Sequence, residues 1–139
     1  RVLVLRQTPD LPDPRVQPPT IAEPGDPFAA LRIVHLVARI QRGEPVRVRD
    51  LVDHLNAAYV DWSFSRGVVI AAVVQLQANW QADHRTTDGI ALVDGPAGPV
   101  VTIEDTPRVD RWIARQCHRL AEACTERLRA FATEEGAIP

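Results

Sequence analysis

Apolar residues recur with a helical period over four stretches of this chain. In the first, Phe28, Leu31, Val34, Leu36, Val37 and Ile40 fall on one face, Asp26 is placed to cap, Pro27 suits the first turn and Gly43 closes the segment. Val46-Arg47-Val48 alternates, which predicts a short strand. Asp50 to Tyr59 then predicts a second amphipathic helix, with Leu51, Leu55 and Ala58 or Tyr59 inward and Asp50, Asp53, His54 and Asn56 outward. A third helix is expected from Ser63 or Ser65 to about Gln81. Its run Gly67 to Val74 is β-branched, but the pattern continues through Leu76 and Trp80, longer than an ordinary strand.

Ile90–Val93 and Val100–Ile103 flank the turn-rich connector Asp94 to Pro99, a hairpin signal. Thr106-Pro107 opens a last helix to about Thr133. Its apolar stripe is Val109, Ile113, Cys117, Leu120, Cys124, Leu128 and Phe131. The fold class expected is mainly α with a small β-hairpin. Residues 1–27 hold 7 of the 12 prolines, which predicts an extended arm or linker, with Arg1 to Arg6 a candidate short strand. The organisation expected is therefore an arm over 1–27, a domain over 28–105, a long helix over 106–133 and a tail over 134–139.

This order of helix, short strand, helix, turn, helix, hairpin and long helix resembles a winged helix-turn-helix domain. The resemblance covers about Phe28 to Asp105. Val46 to Leu55 matches the strand and second helix, Phe64 to Trp80 the recognition helix and Ile90 to Ile103 the wing. The size and flanking helices are similar to repressors of the multiple-antibiotic-resistance-regulator type. Where those carry an Asp-x-Arg-Asp-x-Arg wing motif, Asp83-His84-Arg85-Thr86-Thr87-Asp88 holds only a fragment.

The resemblance implies a bacterial, cytoplasmic transcription regulator that binds double-stranded DNA as a homodimer. On that reading Arg47, Arg49, Arg66 and Arg85 hold phosphates, and Gln75 and Asn79 read bases. Ile113, Cys117, Leu120, Cys124, Leu128 and Phe131 form the candidate dimer interface, because a single small domain is not expected to cover so long a stripe. The alternative covering for that stripe is the N-terminal arm. A small-molecule effector would sit between the first and last helices.

Charge changes this picture. The 139 residues carry a net charge of −2, with no global pull toward phosphate polymers, and every cation is Arg. Residues 86–105 have four acids (Asp88, Asp94, Glu104, Asp105) and no Arg, so the wing opposes a duplex. Two clusters keep DNA binding in play. One is Arg39, Arg42, Arg47 and Arg49; the other is a stripe of Arg108, Arg111, Arg115 and Arg119 along the last helix. The competing reading is a winged-helix protein-interaction module, a subunit of a larger complex that does not bind DNA. A third is an enzyme subunit whose active site lies upstream, since a chain without Met is expected not to start natively at Arg1.

Catalytic chemistry finds little support. Cys117 and Cys124 lie in the apolar stripe and read as buried thiols. His35, His54, His84 and His118 are scattered, there is no Gly-rich phosphate loop, and no cofactor or metal is implied. His35 reads as a satisfied core or interface histidine and His54 as solvated. Trp62, Trp80 and Trp112 are expected to lock elements together. The longest apolar run, Val68 to Val74, is too short to span a bilayer.

Overall fold

The computed structural model describes residues 3–15 and 20–134. Its elements run β1 (Thr20–Ile21), α1 (Pro27–Arg39), β2 (Val46–Arg47), α2 (Val48–Ala58), β3 (Trp62–Ser63), α3 (Arg66–His84), β4 (Ile90–Gly95), β5 (Gly98–Ile103) and α4 (Pro107–Glu134). Among the described residues, four helices accompany a small antiparallel sheet of order β2-β5-β4 that packs against α2 and α3, and β1 and β3 form a separate two-residue parallel pair.

Three of the four described helices, α1, α3 and α4, start where the sequence provides a side-chain cap, whereas α2 follows Arg47 without one. The Asp26 carboxylate accepts from the Phe28 amide, Ser65 Oγ from Val68 N and Thr106 Oγ1 from Val109 N, satisfying otherwise orphan donors. The β-branched run of α3 is helical, as its length required. Between α2 and α3 the Asn56 amide clasps the Phe64 backbone, accepting from its N–H at 2.8 Å and donating to its carbonyl at 3.1 Å. That clasp fixes the turn between the two helices.

The hairpin is longer than its apolar residues alone indicated. Strand pairing runs from Ile90↔Ile103 out to Gly95↔Gly98, leaving Pro96 and Ala97 as the turn. Gly98 follows at φ +110, a conformation open chiefly to glycine. Conversely, Val48 lies in α2 rather than in the preceding strand.

The core joins α1, α2, α3, the sheet and α4, and α4 packs chiefly on α1. Ile113, Cys117 and Cys124 of α4 are buried within the single chain, and Leu120 is half-buried against the same core. The N-terminal arm completes this packing. Leu5 bridges to Ile40, the Arg6 amide donates to the Arg39 carbonyl, and Leu3, Leu5 and Leu11 lie on the core. Residues 1–2 and 16–19, with Pro18 and Pro19 of the proline-rich arm, and residues 135–139 of the expected tail lie outside the described residues.

Candidate interaction surface

The face that α3 turns to solvent is built mostly of short side chains, with charge only at its two ends, Arg66 and Asp83. Val68, Val69, Val73, Leu76 and Trp80 point into the core, whereas Gly67, Ala71, Val74, Ala78 and Ala82 are exposed. Gln75 and Asn79 are also exposed, but Gln75 Nε2 donates to Asn79 Oδ1 at 2.9 Å, so the two amides engage each other. The same two residues edge a mostly apolar cleft of about 440 Å³ between α1, α3 and α4. Gln116 Nε2 is buried there without a hydrogen-bond partner.

The arginines proposed for phosphate contact separate into distinct groups. Arg47 is tied to Asp50 by two hydrogen bonds of 3.1 Å, so its charge is already matched. Arg42 is unavailable. It is buried, donates to the carbonyls of Val37, Ala38 and Ile40, and pairs with Asp110. It therefore closes the C-terminal end of α1, where carbonyls lack helical partners. Arg49, Arg66 and Arg85 are exposed and make no ion pair among the described residues. Arg66 reaches the hairpin turn, with its guanidinium beside Gly98. Arg85 is the left-handed C-cap of α3, at φ 50.

On α4, Arg108, Arg111, Arg115 and Arg119 are exposed and likewise without an ion-pair partner among the described residues. The Arg108 guanidinium lies 5.8 Å from the Trp80 ring centre. The expected dimer stripe divides at Cys124. Ile113, Cys117 and Cys124 are buried in the core of their own chain, where α4 packs on α1. Beyond that packing, Leu128 and Phe131 remain 44% and 60% exposed.

Trp80, His84 and Trp112 form one aromatic knot at the junction of α3 and α4. Trp80 stacks on His84 at 3.8 Å and meets Trp112 edge-on at 5.3 Å. Trp112 Nε1 donates to Asp83 Oδ2, and Trp80 Nε1 to the Asp88 carbonyl. All three tryptophans are buried, consistent with locking elements together. Among the described residues, no group of three His, Cys, Asp or Glu is placed to hold a metal, and no helix is long and apolar enough to cross a membrane.

Two arrangements escaped the sequence reading. Arg32 is fully buried, its guanidinium 4.1 Å from the Trp62 ring centre and 5.3 Å from that of Tyr59. Nη1 donates to the Phe28 carbonyl, while Nε and Nη2 have no hydrogen-bond partner. Burial accordingly pushes this guanidinium's pKa down. The second is a cleft between the arm, α1 and α2, where His35, Arg39, His54 and Tyr59 converge. The i, i+4 spacing of His35 and Arg39 was visible in the sequence, but their meeting with α2 and the arm was not. His35 is half-buried without a hydrogen bond, not a satisfied core histidine, and His54 is half-buried rather than solvated.

Compared with protein families, characterised proteins and solved structures, the chain finds no match in any of the three.

Proposed function

We propose that this chain is a winged-helix protein-interaction module, a subunit of a larger assembly. The order of elements and the sheet order β2-β5-β4 support the winged-helix reading. The observation that carries the function is the exposed face of α3. In a DNA reader this face holds cations and long hydrogen-bonding side chains. Here it holds mainly Gly67, Ala71, Val74, Ala78 and Ala82, its two amides Gln75 and Asn79 are bonded to each other, and its charges, Arg66 and Asp83, stand only at the ends of α3. Short side chains let another backbone approach closely, so they suit a packed helix or apolar segment better than a hydrated groove.

The hairpin argues the same way. A wing entering a minor groove needs cations, and this one carries Asp94 with none. Ala78→Arg would put a long charge in the middle of the α3 face without touching the core. A protein retained by the wild-type chain in affinity capture, and lost with Ala78→Arg, is the outcome that supports the reading. Equal retention by both chains contradicts it.

A second reading, a DNA-binding homodimer, draws on the exposed Arg49, Arg66 and Arg85. In it Leu128 and Phe131 supply what is left of the apolar stripe for a second copy. Its signature is duplex affinity that falls steeply with salt.

A further inference from the structure

The cleft between the arm, α1 and α2 has a volume of about 510 Å³ and an excess of positive charge. Its one carboxylate, Asp13, is already matched. Asp13 Oδ1 accepts from the Arg15 backbone N–H and Nε, and Oδ2 accepts from Arg15 Nη2. By contrast, the side chains of Arg39, His35 and His54 are half-buried and make no hydrogen bond or ion pair among the described residues. A guanidinium and two imidazoles held together without an acceptor forgo the strongest bonds open to them. Much of the remaining wall is apolar, including Leu36 and the ring of Tyr59.

We propose that this cleft binds a small organic anion, whose carboxylate or phosphate is received by Arg39 with His35 and His54 and whose body lies on Tyr59 and Leu36. The planar guanidinium suits a two-oxygen head group, and each imidazolium adds a donor. The inference is independent of what the α3 face binds.

A pH signature follows. Burial, then the Arg39 charge, holds both His35 and His54 below the usual histidine pKa. His35 also faces Asp13 and Arg15 from the arm, and the second of these lowers it further. An anion beside Arg39 reverses that repulsion and draws protons onto the imidazoles. Binding is therefore tighter at acid pH and accompanied by proton uptake.

The test is isothermal titration calorimetry of the full chain with benzoate and with phenyl phosphate, at about pH 6 and about pH 8. The expected result is saturable one-to-one binding of at least one probe. It should be tighter at the lower pH and weakened about tenfold or more by Arg39→Gln. Arg129→Gln, a charge removed near the C-terminal end of α4 where it pairs with Glu126, should leave it unchanged. Binding of benzoate alone assigns a carboxylate and of phenyl phosphate alone a phosphate; binding of both assigns a site open to either. His35→Asn with His54→Asn should flatten the pH dependence. The Arg39 guanidinium makes no hydrogen bond or ion pair among the described residues, so near-ultraviolet circular dichroism should show Arg39→Gln folded as wild type. Absence of heat with both probes, or equal affinity in Arg39→Gln and Arg129→Gln, overturns the proposal.

Discussion

Arg42 Nη2 lies 2.9 Å from Asp110 Oδ1, a pair that joins the end of α1 to the first turn of α4 across 68 residues of sequence. The guanidinium is 2% exposed, and its other donors hold three carbonyls at the end of α1. The Asp110 carboxylate also accepts from Arg6 at 3.1 Å, so the arm, α1 and α4 share one anion. Removing that anion leaves a buried charge without its counter-ion. Asp110→Asn is expected to destabilise by about 2–3 kcal/mol. Urea unfolding measures this, and a loss below about 0.5 kcal/mol would show the pair to be dispensable.

Gly89 has φ +99, and a Cβ there would fall directly on the Trp80 indole. Gly89→Ala therefore combines a strained backbone with a clash against a buried ring. A loss of about 2–4 kcal/mol is expected, together with a changed tryptophan emission. Gly43→Ala, at φ +84 but facing open space, should show the smaller backbone cost alone.

Burial pushes the Cys117 thiol up to about 12, and the Cys124 thiol is also raised by burial. Neither holds appreciable thiolate near neutrality, so Ellman's reagent should react slowly with the native chain and fast in denaturant. The same shift has a stability consequence. Above the ordinary thiol value of about 8.5 the unfolded chain releases protons that the folded chain keeps, so stability falls as pH rises. Cys117→Ala should reduce that alkaline slope.

On the acid side the signs reverse. His35 and His54 are held below their unfolded value, so the unfolded chain takes up protons first as pH falls through about 6.5. Stability present above that pH is lost below it. In a buffer free of carboxylate and phosphate, denaturation midpoints should fall from about pH 7 to about pH 5. The double variant His35→Asn, His54→Asn should flatten that fall.

The helices were legible because their signals are local. Asp26-Pro27 and Thr106-Pro107 mark helix starts within two residues, and the apolar spacing of α4 announces its buried face. What covers that face was not legible. Ile113, Cys117 and Cys124 read as surplus hydrophobic surface until α4 is seen packed along α1. The arginines teach the same lesson. Arg42, Arg47 and Arg49 look equivalent in sequence, yet one pairs with Asp110 far along the chain, one with Asp50 three residues on, and one stands exposed to solvent. Only the Arg47 pair lay within reach of local spacing. The anion cleft was hidden for a related reason: its cations come from two helices, and its charge balance depends on Asp13 turning back to Arg15.

On the proposed function, the α3 face meets protein rather than DNA. Fluorescence anisotropy of a labelled mixed-sequence duplex, titrated at low and at moderate salt, tests it most directly. No saturable binding at low salt, in the wild-type chain and in Arg49→Ala/Arg66→Ala alike, is the expected result. Salt-sensitive binding that the double substitution weakens would contradict the account and return α3 to the major groove.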